Sequence, residues 1–164
     1  MTDREKIDIQ ERKDFNITNK IMTTIFQAYD ARISMTQTKT YYPVDANMVV
    51  EKGKKRKKYK IEIKERNIDC MEELETLPLK VKKYCNIMET INEDETPLII
   101  YLVNNEQYFI FNLKKLDMNN IVIRNWNIPK VQYTTKHQYE QQPTFFIPIN
   151  QCIYNGIIPH NAYN

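Results

Sequence analysis

The chain has 164 residues, with 24 Lys or Arg against 21 Asp or Glu and a formal net charge of +3. Apolar residues make up 41% and charged ones 27%, a globular balance with enough length for one domain and a real core. No apolar run approaches the ~18 residues that cross a bilayer, and the charged N-terminus, MTDREKIDIQERKD, lacks a signal-peptide core, so the expectation is a cytoplasmic protein without export or membrane contact.

From Asn16 the pattern is helical, with Ile17, Ile21 and Ile25 at four-residue spacing beside Met22, Phe26 and Tyr29, and it predicts a helix over 11–31. Residues 32–42 read as a first strand or an extended lead-in. Two strands follow, 44–50 and 59–64. In the second, Tyr59, Ile61 and Ile63 alternate with Lys60, Glu62 and Lys64, giving one apolar and one charged face. Gly53 and the lysines after it mark the reversal. Folding back near Lys54 and Lys55 puts Asp45 opposite Lys64. Residues 66–77 look irregular and acidic, and Pro78 suits the first turn of a helix running to about 92. The continuous apolar run 98–103 predicts a strand buried on both faces. Asn104-Asn105 turns it into a return strand over 108–113, and a right-handed crossover is expected to join the hairpin to the buried strand. Further on, 121–123 reads as a short strand and 145–147 as another. Trp126 and Pro129 suggest a packed loop, 132–142 an exposed polar stretch, and 149–154 a helical turn stopped by Asn155-Gly156. The expectation is one domain over 1–164, with its core in 11–113 and a C-terminal extension, 114–164, packed on it.

Several chemistries are excluded or weak. Three isolated cysteines, Cys70, Cys85 and Cys152, form no disulfide framework, and His137 and His160 have no zinc-ligand spacing. With two glycines in all, no glycine-rich phosphate loop can exist, and there is no Gly-x-Ser-x-Gly elbow. Cys85 with His137 can be imagined as a thiol nucleophile and base, but the helical apolar context of Cys85 points to core packing. Tyr108, Phe109 and Phe111 could stack bases, with core packing the better default.

The stretch from Pro43 to Arg66, PVDANMVVEKGKKRKKYKIEIKER, carries the chemistry. Asp45, Glu62 and Lys64 converge on one side of a hairpin whose other side is apolar. Adjacent carboxylates repel unless a cation lies between them, and Mg²⁺ suits one or two carboxylates plus water and phosphate. Residues 52–60 hold seven Lys or Arg and no acid. Such a block is either a solvated turn or, beside an acidic pair, a grip on a phosphate backbone over a metal site. Glu62 and Lys64 both sit on the polar strand face, so replacing either should not unfold the domain.

Asp45, seventeen residues before Glu62-Ile63-Lys64, resembles the motif of the PD-(D/E)XK nuclease superfamily, in the order helix, Asp strand, Glu-x-Lys strand, helix, strand over residues 11–113. The proline departs from the pattern, standing at Pro43 and not directly before Asp45. The resemblance implies an α/β fold of restriction-endonuclease-like type, with a mixed central sheet flanked by helices. It also implies a metal-dependent DNA endonuclease, of the size of resolvases and phage-type nucleases, acting on branched or recombination DNA and commonly as a homodimer. By resemblance Asp45 and Glu62 hold Mg²⁺ or Mn²⁺, the Ile63 backbone carbonyl is a further ligand, and an acid on the first helix joins them, with Glu11 the position carried over and Asp14, nearby, and Glu5 also available. Lys64 acts on the attacking water or the phosphorane. Lys54, Lys55, Arg56, Lys57, Lys58 and Arg66 position the DNA backbone, with Lys83, or Lys80, entering from the following helix. The alternative is a non-catalytic nucleic-acid-binding or protein-interaction module on the same fold.

Overall fold

The structure is a computed structural model that describes residues 2–39, 42–129 and 139–159. The first helix, α1 (Asp3–Gln27), starts eight residues before the predicted boundary. A capping box explains the early start: the Thr2 side chain accepts from the Glu5 N–H, and the Glu5 carboxylate accepts from the Thr2 N–H. The helix stops at Gln27, and Asp30 leaves it with a φ of 53°.

Three strands follow: β1 (Arg32–Gln37), β2 (Ala46–Lys52) and β3 (Lys55–Arg66). The β2–β3 register pairs Ala46 with Ile61 and Lys52 with Lys55. The reversal is therefore Gly53-Lys54, one step earlier than the sequence suggested. Gly53 has a φ of 57°, a conformation that costs a glycine little, and glycine first in a two-residue turn is the type II′ preference. The earlier turn shifts the register by two, and Asp45 faces Glu62, not Lys64.

The segment after β3, expected to be irregular and then helical, holds a strand, β4 (Thr76–Lys80), before α2 (Val81–Glu89). Pro78 lies inside β4 and does not open the helix. β4 is an edge strand, where a missing N–H is tolerated, and Leu77 and Leu79 bury on alternate positions as a strand requires.

β5 (Glu95–Val103) pairs parallel with β3, and β6 (Gln107–Asn112) returns antiparallel. β7 (Val122–Pro129) and β8 (Tyr139–Pro148) pair antiparallel, and β9 (Tyr154–Ile157) adds to β6. Trp126 and Pro129, expected in a packed loop, are strand residues. The expected polar stretch 132–142 lies outside the described residues as far as 138, and 139–142 belong to β8. The expected helical turn 149–154 shrinks to Ile149–Gln151, and Asn155 and Gly156 are inside β9. A Cβ at Gly156 would come within 2.8 Å of the Tyr108 hydroxyl, so glycine serves close packing there and not a helix stop.

The result is a mixed α/β architecture. A six-stranded mixed sheet, β1-β2-β3-β5-β6-β9, has α1 on one face and, on the other, α2 with a three-stranded sheet, β4-β8-β7. β5 explains the continuous apolar run. Leu98, Ile100 and Leu102 join Ile17, Ile21 and Met22 in one core, while Ile99, Tyr101 and Val103 join Leu77, Leu79, Ile87, Phe145 and Ile147 in the other. Phe109 and Phe111 are core residues, as the default reading held. Cys85 is exposed, against the expectation of core packing. His137 and His160 lie outside the described residues. No described helix is long and apolar enough to cross a membrane.

Candidate active site

β2 ends before β3 does, and the freed end of β3 opens a cleft of about 740 Å³ against α1, lined by Asp14, Asp45, Ile63, Lys64, Glu65 and Arg66 among others. Asp45 sits in the bend just before β2 and not within a strand. Its backbone is clamped: the N–H donates to the Ile61 carbonyl and the carbonyl accepts from the Thr38 N–H, both at 2.9 Å. Its Oδ2 accepts from the Ile63 N–H at 2.7 Å. In a strand the N–H and C=O of one residue point the same way, so the Ile63 carbonyl also faces the edge that β2 has vacated.

Glu62 is 0% exposed. Lys64 Nζ lies 2.5 Å from its Oε1, and Lys83 Nζ, from α2, lies 2.8 Å from its Oε2. Among the described residues neither carboxylate oxygen has any other hydrogen-bond donor. A buried charge is tolerated only when paired, so these two lysines are what keep Glu62 in the interior. This corrects the view of Glu62 as a solvent-facing residue of little structural weight. Burial raises the Asp45 pKa to about 6, and the Glu62 carboxylate pushes it the same way; Lys64, the Ile63 N–H and Lys83 only partly offset them. Asp45, Glu62, Lys64 and Lys83 are thus within electrostatic reach of one another.

Cations gather above this pair. Lys80, at the N-terminus of α2, has its pKa lowered first by burial and then by Lys64, Arg66 and Lys83, while Glu140 on β8 counters the drop. Arg66 donates to the Glu65 carbonyl at 2.7 Å and faces the Tyr101 ring.

The predicted basic tip is elsewhere. Lys54, Lys55, Arg56, Lys57 and Lys58 are exposed at the other end of the hairpin. Seven residues separate Lys55 from Glu62, roughly 23 Å at ~3.3 Å per residue. The tip therefore does not overhang the acidic pair, against the expectation. Arg56 pairs with Glu51 at 3.7 Å and Lys58 with Asp94 at 2.7 Å, all exposed.

Glu11 is exposed at the cleft rim. The α1 acid that turns inward is Asp14, whose pKa burial raises to about 6, with Glu65 adding to the rise and a hydrogen bond from Gln10 opposing it. Asp14 was legible: it lies seven residues, two turns, before Ile21 on the buried stripe. Glu140 had no such signal, since β8 was not foreseen there.

Among the described residues no cluster of three or more His, Cys, Asp or Glu side chains could hold a metal. What the cleft does offer is a pair of hard oxygens, the second Asp45 carboxylate oxygen and the Ile63 carbonyl, while Glu62 is buried, off the cleft lining and paired with Lys64 and Lys83. Lys64, which pairs with Glu62 and also lines the cleft, is 26% exposed. That donor set suits Mg²⁺, which keeps several waters and takes only one or two carboxylates.

No protein-family model matches the chain, and no curated protein matches it in sequence. Among solved structures the chain is similar to Hjc, a Holliday junction resolvase from the archaeal hyperthermophile Archaeoglobus fulgidus. The two share 12% identity over 92% of this chain and 95% of that one, with a TM-score of 0.47. A likeness at that level gives this chain neither a family nor an activity.

Proposed function

We propose that this protein is a metal-dependent endonuclease of the PD-(D/E)XK type, hydrolysing DNA phosphodiesters, with branched DNA as its substrate class. The observation that carries the reading is the Asp45–Glu62–Lys64 arrangement: two carboxylates in electrostatic contact, one anchored on the Ile63 N–H, with an ammonium on the other. Asp45, Glu62 and the Ile63 carbonyl would hold Mg²⁺ or Mn²⁺, which when bound lowers the pKa of a water into the neutral range. Lys64 has the task of orienting that water and meeting the charge that builds on the phosphorane. Lys83 stays paired with Glu62 as Lys64 turns to the phosphate. Arg66 and Lys80 contact the DNA backbone beside the reacting phosphate, and Lys54 to Lys58 contact it further away. One site cuts one strand, so cutting two strands takes a homodimer.

Incubating supercoiled, four-way-branched and single-stranded DNA with the protein in Mg²⁺, Mn²⁺ or EDTA tests this. Cleavage in either metal and none in EDTA is expected. Inactivity on every substrate would leave the second reading, a non-catalytic binding module. That reading is favoured by one feature, the occupation of both Glu62 oxygens by lysines.

A further inference from the structure

The inner face of the β4-β8-β7 sheet, with Leu77, Leu79, Phe145 and Ile147, closes the second core. The outer face follows from register. Lys80 lies opposite Thr144, and Thr144 opposite Arg124. Directly opposed residues share a face, so these three form one row across the sheet. Pro78, Phe146 and Val122 form the next row, and Gln142 opposite Trp126 continues the face on the far side of Arg124.

Trp126 is the only tryptophan of the chain and is 44% exposed on the edge strand β7. It is not loosely held. Its ring packs on Phe146 with centroids 4.8 Å apart, and the Arg124 guanidinium lies 4.1 Å over the same Phe146 ring. Phe146 itself is 3% exposed. An exposed indole and a guanidinium are thus fixed side by side on a buried aromatic base.

The charge around this platform selects its occupant. Lys80, at the end of the Arg124 row, lies within electrostatic reach of Lys64, Arg66 and Lys83. Positive charge therefore stands at both ends of the row that leads from the acid pair towards Trp126, with the uncharged, buried Thr144 between Lys80 and Arg124. One acid, Glu140, shares the face; it draws on Lys80 and accepts a hydrogen bond from Gln142. Two interstrand spacings of ~4.8 Å put Arg124 about 10 Å from Lys80. A fixed aromatic face beside cations takes an unstacked base, because every base has a π face and the backbone supplies the negative charge.

We infer that the outer face carrying Trp126, Arg124 and Lys80 binds an unpaired stretch of nucleic acid, with a base stacked on Trp126, adjoining the backbone held at the Asp45–Glu62–Lys64 site. The identity of the ligand rests on the proposed nuclease reading, but its binding can be measured without cleavage.

Because Trp126 is the sole tryptophan, its emission reports on this face alone. The full chain in EDTA is titrated with a single-stranded oligonucleotide, a fully paired duplex, and a branch bearing unpaired nucleotides, with binding followed in parallel by anisotropy of labelled DNA. The single strand and the branch should quench the emission, and the paired duplex should not. Trp126→Ala and Arg124→Ala should each weaken single-strand affinity about tenfold and leave duplex affinity unchanged, while Trp126→Phe should keep most of it. Circular dichroism melts should show both variants folded at the assay temperature, with Trp126→Phe, which keeps the packing on Phe146, closest to wild type. Unchanged emission while anisotropy shows saturation by single strand would overturn the inference, as would wild-type affinity in Trp126→Ala. An emission change that tracks protein concentration alone, with dimers in the ultracentrifuge, would reassign the face to a contact between copies and overturn it too. Cleavage without quenching removes this face and leaves the nuclease; quenching without cleavage in Mg²⁺ or Mn²⁺ does the reverse.

Discussion

The two ends of β3 are built from the same kinds of residue and live under different physics. At the hairpin end, Lys55 to Lys58 stand in water, and their pairs with Glu51 and Asp94 join exposed side chains. Such pairs exchange hydration for contact and contribute little. At the other end Glu62 has no exposure, and Lys64 and Lys83 close on its two oxygens. There a charge persists only because of its partners. The abundance of lysine along the strand says nothing about which lysine matters. The depth of the carboxylate beside it does.

Removing both partners breaks the comparison most severely. In Lys64→Ala/Lys83→Ala, Glu62 is left buried and unpaired, which costs about 3–5 kcal/mol. Urea unfolding should show that loss for the double variant and less than half of it for either single one. A double variant as stable as wild type would mean that Glu62 is not held by this pair.

Asp45 tests the same end by pH. Its carboxyl titrates at 3.8 when unfolded and at about 6 in the fold. Between those values the folded chain binds the proton more tightly, so this group makes the protein most stable near pH 4, less stable as pH rises to 6, and level above that. The difference corresponds to about 3 kcal/mol at most. In EDTA, Asp45→Asn should remove that slope and raise the melting temperature at pH 8, and in Mg²⁺ it should abolish cleavage. A slope unchanged in the variant would assign it to other groups, Asp14 first among them.

The smallest effect belongs to the exposed end. Replacing Lys54, Lys55, Arg56, Lys57 and Lys58 together by Ser should change stability by no more than about 0.5 kcal/mol. Duplex affinity should fall for all sequences alike, with a shallower salt dependence. Unchanged affinity would make the tip an ordinary solvated turn.

The sequence brought Asp45, Glu62, Lys64 and Lys83 near one another, but not in the geometry the structure shows. Period-two alternation in 59–64 and the apolar run of β5 identify strands because burial on one or two faces leaves its mark on residue type. The register did not follow, because one glycine with positive φ, and not the lysine cluster, decides where the chain turns. Pro78 is ambiguous by nature, acceptable at a helix start and on an edge strand, and only pairing with β8 decides between them. β8 is disguised in the sequence by Pro143, through which the strand runs unbroken: the proline sits beyond the end of β4 and pairs with Asn125 of β7 alone. Lys83 could be named from its helix. That it seals a buried Glu62 could not, since burial of a glutamate has no local signature.

The central claim is that Lys64 serves the reaction and not merely the fold. Single-turnover cleavage of saturating branched DNA in Mn²⁺ by wild type and Lys64→Ala, with DNA affinity measured alongside, addresses it directly. The arrangement predicts a loss of about 10²–10³ in rate with affinity within about twofold of wild type, because the ammonium acts on charge that appears only in the transition state. Equal rates in the two proteins, or a rate loss fully explained by weaker DNA binding, would contradict it.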